Sequence, residues 1–176
     1  MPILDLVLKF AGSLTAGIRR IVTWLVIGFF SYMAIAVLVQ VIGRYVFNFS
    51  IDWAAESATF AQVWMILLAA GLAMRRKLHV SVDALVTVLP ESILRFLTLV
   101  IAIPCLWFLW HAIAGSMALI DIGRIQTSPV LQIPMWIPYL SLPLGLSYFG
   151  LELILFLLAK WKDPKGQAGE TEKLVT

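Results

Sequence analysis

Residues 21–43 read IVTWLVIGFFSYMAIAVLVQVIG, 23 positions without one charged side chain. A helix needs roughly 20 apolar residues to cross the hydrocarbon core of a bilayer, so this segment is long enough to span one. It is not alone. Ser57 to Met74 contains nothing more polar than Gln62, Ile93 to Ile120 is interrupted only by Arg95, and Pro134 to Ala159 only by Glu152. Backbone groups in lipid must be satisfied within the segment or in a closed barrel, and continuous apolar runs lack the alternation of a barrel strand. The expectation is therefore an all-α integral membrane protein with four transmembrane helices, at about 21–43, 53–74, 93–120 and 134–159 of the 176-residue chain. Composition agrees: 61% hydrophobic and 13% charged residues exclude an ordinary soluble domain.

The cationic residues order these spans in the membrane. Lys9, Arg19 and Arg20 precede the first span, and Arg75, Arg76, Lys77 and Arg95 lie between or at the edges of the second and third. Lys160, Lys162, Lys165 and Lys173 follow the fourth, leaving only Arg44 and Arg124 for the opposite side. The positive-inside rule places both termini in the cytoplasm, with 44–52 and 121–133 as the outward connections. Trp24 and Trp161 on the inner side, and Tyr45, Trp53, Trp136 and Tyr139 on the outer, suit interfacial aromatic belts. Residues 1–20 do not read as a signal peptide, because the apolar run after Arg20 spans a full bilayer without a cleavage pattern. They instead align Ile3, Val7, Phe10, Leu14 and Ile18 opposite Asp5, Lys9, Ser13 and Arg20, the pattern of an interfacial amphipathic helix. A second interfacial helix is expected after Ser81, ended by Pro90, and residues 161–176 read as a polar cytoplasmic tail.

Catalytic, cofactor and metal sites are not expected. The two histidines, His79 and His111, fall at different depths, and Cys105 is the single cysteine, so neither paired haem ligands nor a zinc set can be assembled. His111 is expected to face the bundle as a packing or hydrogen-bonding residue. Glu152 is the only acid away from the first turn of a span and shares one helical face with Ser141, Gly145 and Tyr148, which suits contact with another helix. Ala54, Ala58 and Ala61, Ala69 and Ala73, and Ala114 and Ala118 offer small-residue faces for close helix approach, and Pro104 and Pro143 should bend their spans. No internal repeat is visible, so the inverted-repeat plan of many transporters is absent.

Polar residues gather in RYVFNFSIDWAAES, Arg44 to Ser57. Asp52 is placed to cap the second span, Glu56 lies near its start, and Arg44 is expected to pair with one or both carboxylates. Three ordered motifs extend from here. They are R-Y-x-F-N-x-S-I-x-W-x-x-E, holding Arg44, Asn48, Asp52, Trp53 and Glu56 and followed by Phe60, Val63 and Trp64; then Arg76 with H-V-x-V-D at His79 to Asp83 and Leu89-Pro90; and finally S-P-x-L-x-I-P-M-W-x-x-Y-x-x-x-P-x-G from Ser128 to Gly145. Together they resemble the small membrane subunit (the DctQ-like, or Q, family) of TRAP transporters, with one departure: Ala55 stands where the family often has a second glutamate.

The resemblance implies a non-catalytic subunit of a tripartite ATP-independent periplasmic importer in the bacterial inner membrane. Its partners would be a large M-type membrane subunit, which carries an organic acid of the dicarboxylate or sialic acid class with sodium, and an extracytoplasmic substrate-binding protein. The small subunit would scaffold the large one. Arg44, Asn48, Asp52, Trp53, Glu56, Trp64, Arg76, His79, Asp83, Ser141, Gly145, Tyr148 and Glu152 become candidates for subunit interface or docking. The alternatives are the small subunit of another tripartite carboxylate importer and a small membrane-embedded enzyme or electron carrier.

Overall fold

The computed structural model describes residues 2–75 and 90–162, with side chains from Thr15 to Met74 and from Pro90 to Trp161. The segment around Arg76, His79 and Asp83, the helix expected after Ser81 and the polar tail therefore lie outside the described residues. The elements are helices α1 (Pro2–Tyr45), α2 (Asp52–Arg75), α3 (Glu91–Ile125), α4 (Trp136–Tyr139) and α5 (Ser141–Lys162). Four stretches are long and apolar enough to cross a membrane: Thr15–Tyr45, Asp52–Met74, Glu91–Ile125 and Trp136–Trp161.

Helix α1 runs unbroken for 44 residues, roughly 66 Å at the helical rise, so the chain passes from the N-terminal segment into the first span without a turn. It ends at the connection to α2, where Phe49 N–H bonds to Gly43 C=O at 2.9 Å and Asn48 takes a positive φ of 55°. Asparagine is among the few non-glycine residues that enter this region readily, which lets the chain reverse within six residues before Asp52.

The last span is divided. Pro138 and Pro143 carry no N–H, and the helical path breaks at Leu140 between α4 and α5. Ser141 Oγ donates to the Pro138 carbonyl at 2.6 Å, supplying one of the hydrogen bonds that an uninterrupted helix would have made.

The four spans form a row. Helix α1 packs along α2, α2 along α5, and α5 along α3, with α1 and α3 at opposite edges. The seams are built from small residues. Ala54, Ala58 and Ala61 of α2 are all buried, as their shared face predicts. Gly145 of α5 lies so close to α2 that an added Cβ would be 2.6 Å from Leu67 Cβ, and Gly71 of α2 lies against the Tyr148 ring. Around these contacts Val22, Leu68 and Tyr148 make one buried cluster, and Met74, Leu109 and Leu153 another. Helix α3 contributes Ala102, Leu109, Ser116 and Gly123, every seventh residue, which keeps one narrow stripe against α5.

A row buries far less than a bundle. Large apolar side chains remain exposed along α1 and α3, among them Ile21, Phe30, Leu38, Ile103, Phe108 and Trp110. Lipid or another membrane protein has to cover these faces, since exposed apolar area of this extent is untenable in water. Ala114 and Ala118 also lie exposed on α3, so these two alanines do not make the intramolecular seam expected of them.

Candidate functional site

Two polar centres organise the row, one in the half that holds Arg19 and one at the opposite rim, where α1 ends. The first centre sits where α1, α2 and α5 converge. Glu152 is only 2% exposed, and Arg19 of α1 grips it with two prongs: Nε donates to Oε1 at 2.7 Å and an Nη donates to Oε2 at 2.8 Å. The Tyr148 hydroxyl, one turn earlier on α5, donates to Oε1 at 3.2 Å. A carboxylate cannot stay charged and unpaired in an apolar surround, and the fork of a guanidinium matches both its oxygens. Ser141, Gly145 and Tyr148, the other members of the predicted face, are buried along the same seam.

Arg19 was legible in the sequence only as a marker of the inner side. Its position at the N-terminal end of the first span, at a depth similar to that of Glu152, was a usable signal. What the sequence lacked was the packing of α1 against the α2–α5 seam, which selects Arg19 from the several inner cations.

At the opposite rim, Glu56 turns away from the expected partner. Its Oε2 accepts from the backbone N–H of Leu131 at 2.7 Å and of Val130 at 3.2 Å, tying α2 to the connection between α3 and α4. That connection is a small hairpin with Ser128 N–H on Ile133 C=O at 2.9 Å, Met135 N–H on Gln126 C=O at 2.9 Å, and a tight bend at Gln132, φ 54°. Gly123 lets it sit close: a Cβ there would lie 2.6 Å from the Trp136 nitrogen.

Arg44, by contrast, makes no ion pair among the described residues. Its guanidinium carbon lies 6.0 Å from the centre of the Tyr45 ring, and the Asp52 carboxylate accepts from the Ser50 hydroxyl. Arg44, Asn48, Asp52 and Trp53 are exposed at the rim, while Trp64 is half-buried and stacks with Phe29, ring centres 6.0 Å apart. The expected Arg44–Glu56 staple is thus replaced by a bond from side chain to backbone. An exposed ion pair contributes little, whereas two backbone N–H groups in a tight hairpin offer Glu56 fixed, converging donors.

Between α1 and α2, under the hairpin, lies an open apolar groove of about 540 Å³, walled by Trp24, Phe29, Tyr32, Phe60, Trp64 and Leu131. Among the described residues no three His, Cys, Asp or Glu side chains gather where a metal could be held. His111 corrects another expectation. It is exposed on α3, facing out of the row, with Nδ1 2.9 Å from the Trp107 carbonyl and its ring against the Trp107 indole.

A row of spanning helices held by a buried ion pair, with a pinned hairpin and wide uncovered faces, is the form of a membrane subunit. Sequence comparison agrees. Residues 33–163 match the family described as tripartite ATP-independent periplasmic transporters, DctQ component. The chain belongs to this DctQ family.

Among its DctQ relatives, the C4-dicarboxylate TRAP transporter small permease protein DctQ of Vibrio cholerae is 28% identical over 168 residues, covering 82% of this chain and 71% of that protein. A putative TRAP transporter small permease protein of Haemophilus influenzae is 31% identical over 140 residues, 78% of this chain and 80% of the relative. The isethionate TRAP transporter permease protein DctMQ of Oleidesulfovibrio alaskensis is 29% identical over 104 residues, which take up 58% of this chain but only 16% of that longer protein. The family is one of transport subunits and not of enzymes.

Proposed function

We propose that this DctQ chain is the scaffold subunit of a sodium-coupled TRAP importer for an organic acid. It holds a large transport subunit in the bacterial inner membrane and adds to the outer surface on which a substrate-binding protein docks. The observation that carries the reading is the row itself, in which Glu152 and Ser141 are buried in the seams between spans while broad apolar surfaces on α1 and α3 stay uncovered.

Three further points support it. Among the described residues the one deeply buried charge, Glu152, is neutralised inside the chain by Arg19, which leaves it unsuited to carrying an ion through the membrane. The DctMQ relative contains the matched region within a much longer permease, as expected of a segment that works beside a large transport body. The relatives from Vibrio cholerae and Rhodobacter capsulatus are named for C4-dicarboxylates, which favours an organic acid of that class. The distribution of cationic residues supports a topology with both termini in the cytoplasm, in which the Glu56-pinned hairpin and the Asn48 turn would face outward.

The test is reconstitution. In proteoliposomes the purified chain alone should move no dicarboxylate or sialic acid, and uptake should need the large subunit, the binding protein and a sodium gradient together. Sodium-driven uptake by this chain alone would overturn the proposal.

A further inference from the structure

The outward face of α3 poses a problem that the scaffold reading does not by itself resolve. His111 lies ten residues from Asp121 and sixteen from Arg95, about 15 Å and 24 Å along the helix, which puts it well inside the hydrocarbon depth. It is exposed and points directly away from the buried stripe of Ala102, Leu109, Ser116 and Gly123. Because a carbonyl can only accept, the bond to Trp107 assigns the proton to Nδ1, and in the neutral ring Nε2 is then an acceptor. Among the described residues nothing donates to it. Lipid tails have no donor to offer, and an unmet polar atom at this depth is costly.

The surroundings of His111 suit a helix. At i+3, i+4 and i+7 stand Ala114, Gly115 and Ala118, all exposed, and a Cβ added at Gly115 would meet nothing within 4 Å. Small residues flanking a polar one allow a neighbouring backbone to come close enough for a hydrogen bond between helices.

We infer that the His111–Ala118 face of α3 is the seat of a transmembrane helix of the large subunit, and that this helix brings a hydrogen-bond donor (a hydroxyl, amide or ammonium group) to His111 Nε2. Complementarity argues against a second copy of this chain seated through the same face with both rings in this tautomer. Two such faces would set acceptor against acceptor, and both imidazoles would remain unmet. The inference rests on the proposed assembly with a large subunit, and adds to it the face, the depth and the chemistry of the contact.

The experiment uses the full chain co-expressed with the large subunit. A benzophenone side chain is placed at position 111 or 118, and at Trp110 and Met117 as exposed controls about a quarter-turn away. Irradiation should cross-link 111 and 118 to the large subunit far more than the controls. In parallel, His111→Leu should weaken recovery of the large subunit in mild detergent roughly 3- to 18-fold, the range expected for one hydrogen bond between membrane helices, while His111→Gln, which keeps an acceptor, restores much of it. Cross-linking from Phe60 or Trp24 in the groove, with none from 111 and 118, would overturn the inference and leave the scaffold reading standing. Cross-linking of two copies of this chain through 111 would also overturn it. Failure of the unmodified chain to co-purify with any large subunit would remove both.

Discussion

Arg19 and Glu152, 133 positions apart in the chain, meet as a two-pronged ion pair with Nε–Oε1 at 2.7 Å, and the carboxylate is sealed from solvent. This pair clamps α1 to α5. Removing one member strands the other. Breaking a buried pair from one side typically costs about 3–5 kcal/mol, whereas replacing both members by apolar groups can be nearly neutral.

Arg19→Leu and Glu152→Leu should therefore each lower the melting temperature of the purified chain in detergent, and the double variant should regain most of the loss. Glu152→Gln should also be destabilising. Its amide offers one acceptor oxygen and turns an N–H₂ towards a guanidinium N–H, so it cannot replace the carboxylate. Equal melting temperatures for wild type and Glu152→Gln would show that the clamp contributes nothing.

The hairpin between α3 and α4 depends on Glu56 in a different manner. A hydrogen bond to a charged acceptor contributes about 1.5–3 kcal/mol, so Glu56→Ala should speed exchange of the Val130 and Leu131 amides by at least about 10-fold. Hydrogen–deuterium exchange read by mass spectrometry over residues 126–135 measures this directly. Combining Arg44→Glu with Glu56→Arg should bring no recovery, because the two side chains are not partners. Recovery by the swap would reinstate the ion pair.

Gly71 and Gly145 test the helix seam. A methyl at Gly145 would lie 2.6 Å from Leu67 Cβ, and one at Gly71 would run into the Tyr148 ring, whereas a methyl at Gly28 would meet nothing within 4 Å. Overpacking of this kind costs about 1–3 kcal/mol. Gly71→Ala and Gly145→Ala should lower the melting temperature by several degrees, with Gly28→Ala indistinguishable from wild type. A silent Gly145→Ala would mean that α2 and α5 do not approach as closely as the structure places them.

The sequence by itself determined that four helices cross a membrane, because the length of an apolar run and the cost of unsatisfied backbone in lipid are local quantities. It also determined which face of α5 would be buried, since Ser141, Gly145, Tyr148 and Glu152 recur at helical spacing, and the alanine face of α2 follows the same rule. Periodicity says that a face needs a neighbour and is silent on which neighbour. Only the tertiary structure decided that Glu152 takes Arg19 from among the inner cations and that Glu56 takes two backbone amides instead of Arg44. It also turned Ala114, Ala118 and His111 outward. Each of these outcomes depends on the order of helices in the row: α5 lies between α2 and α3, so one narrow stripe of α3 is used inside the chain and the opposite stripe is left uncovered.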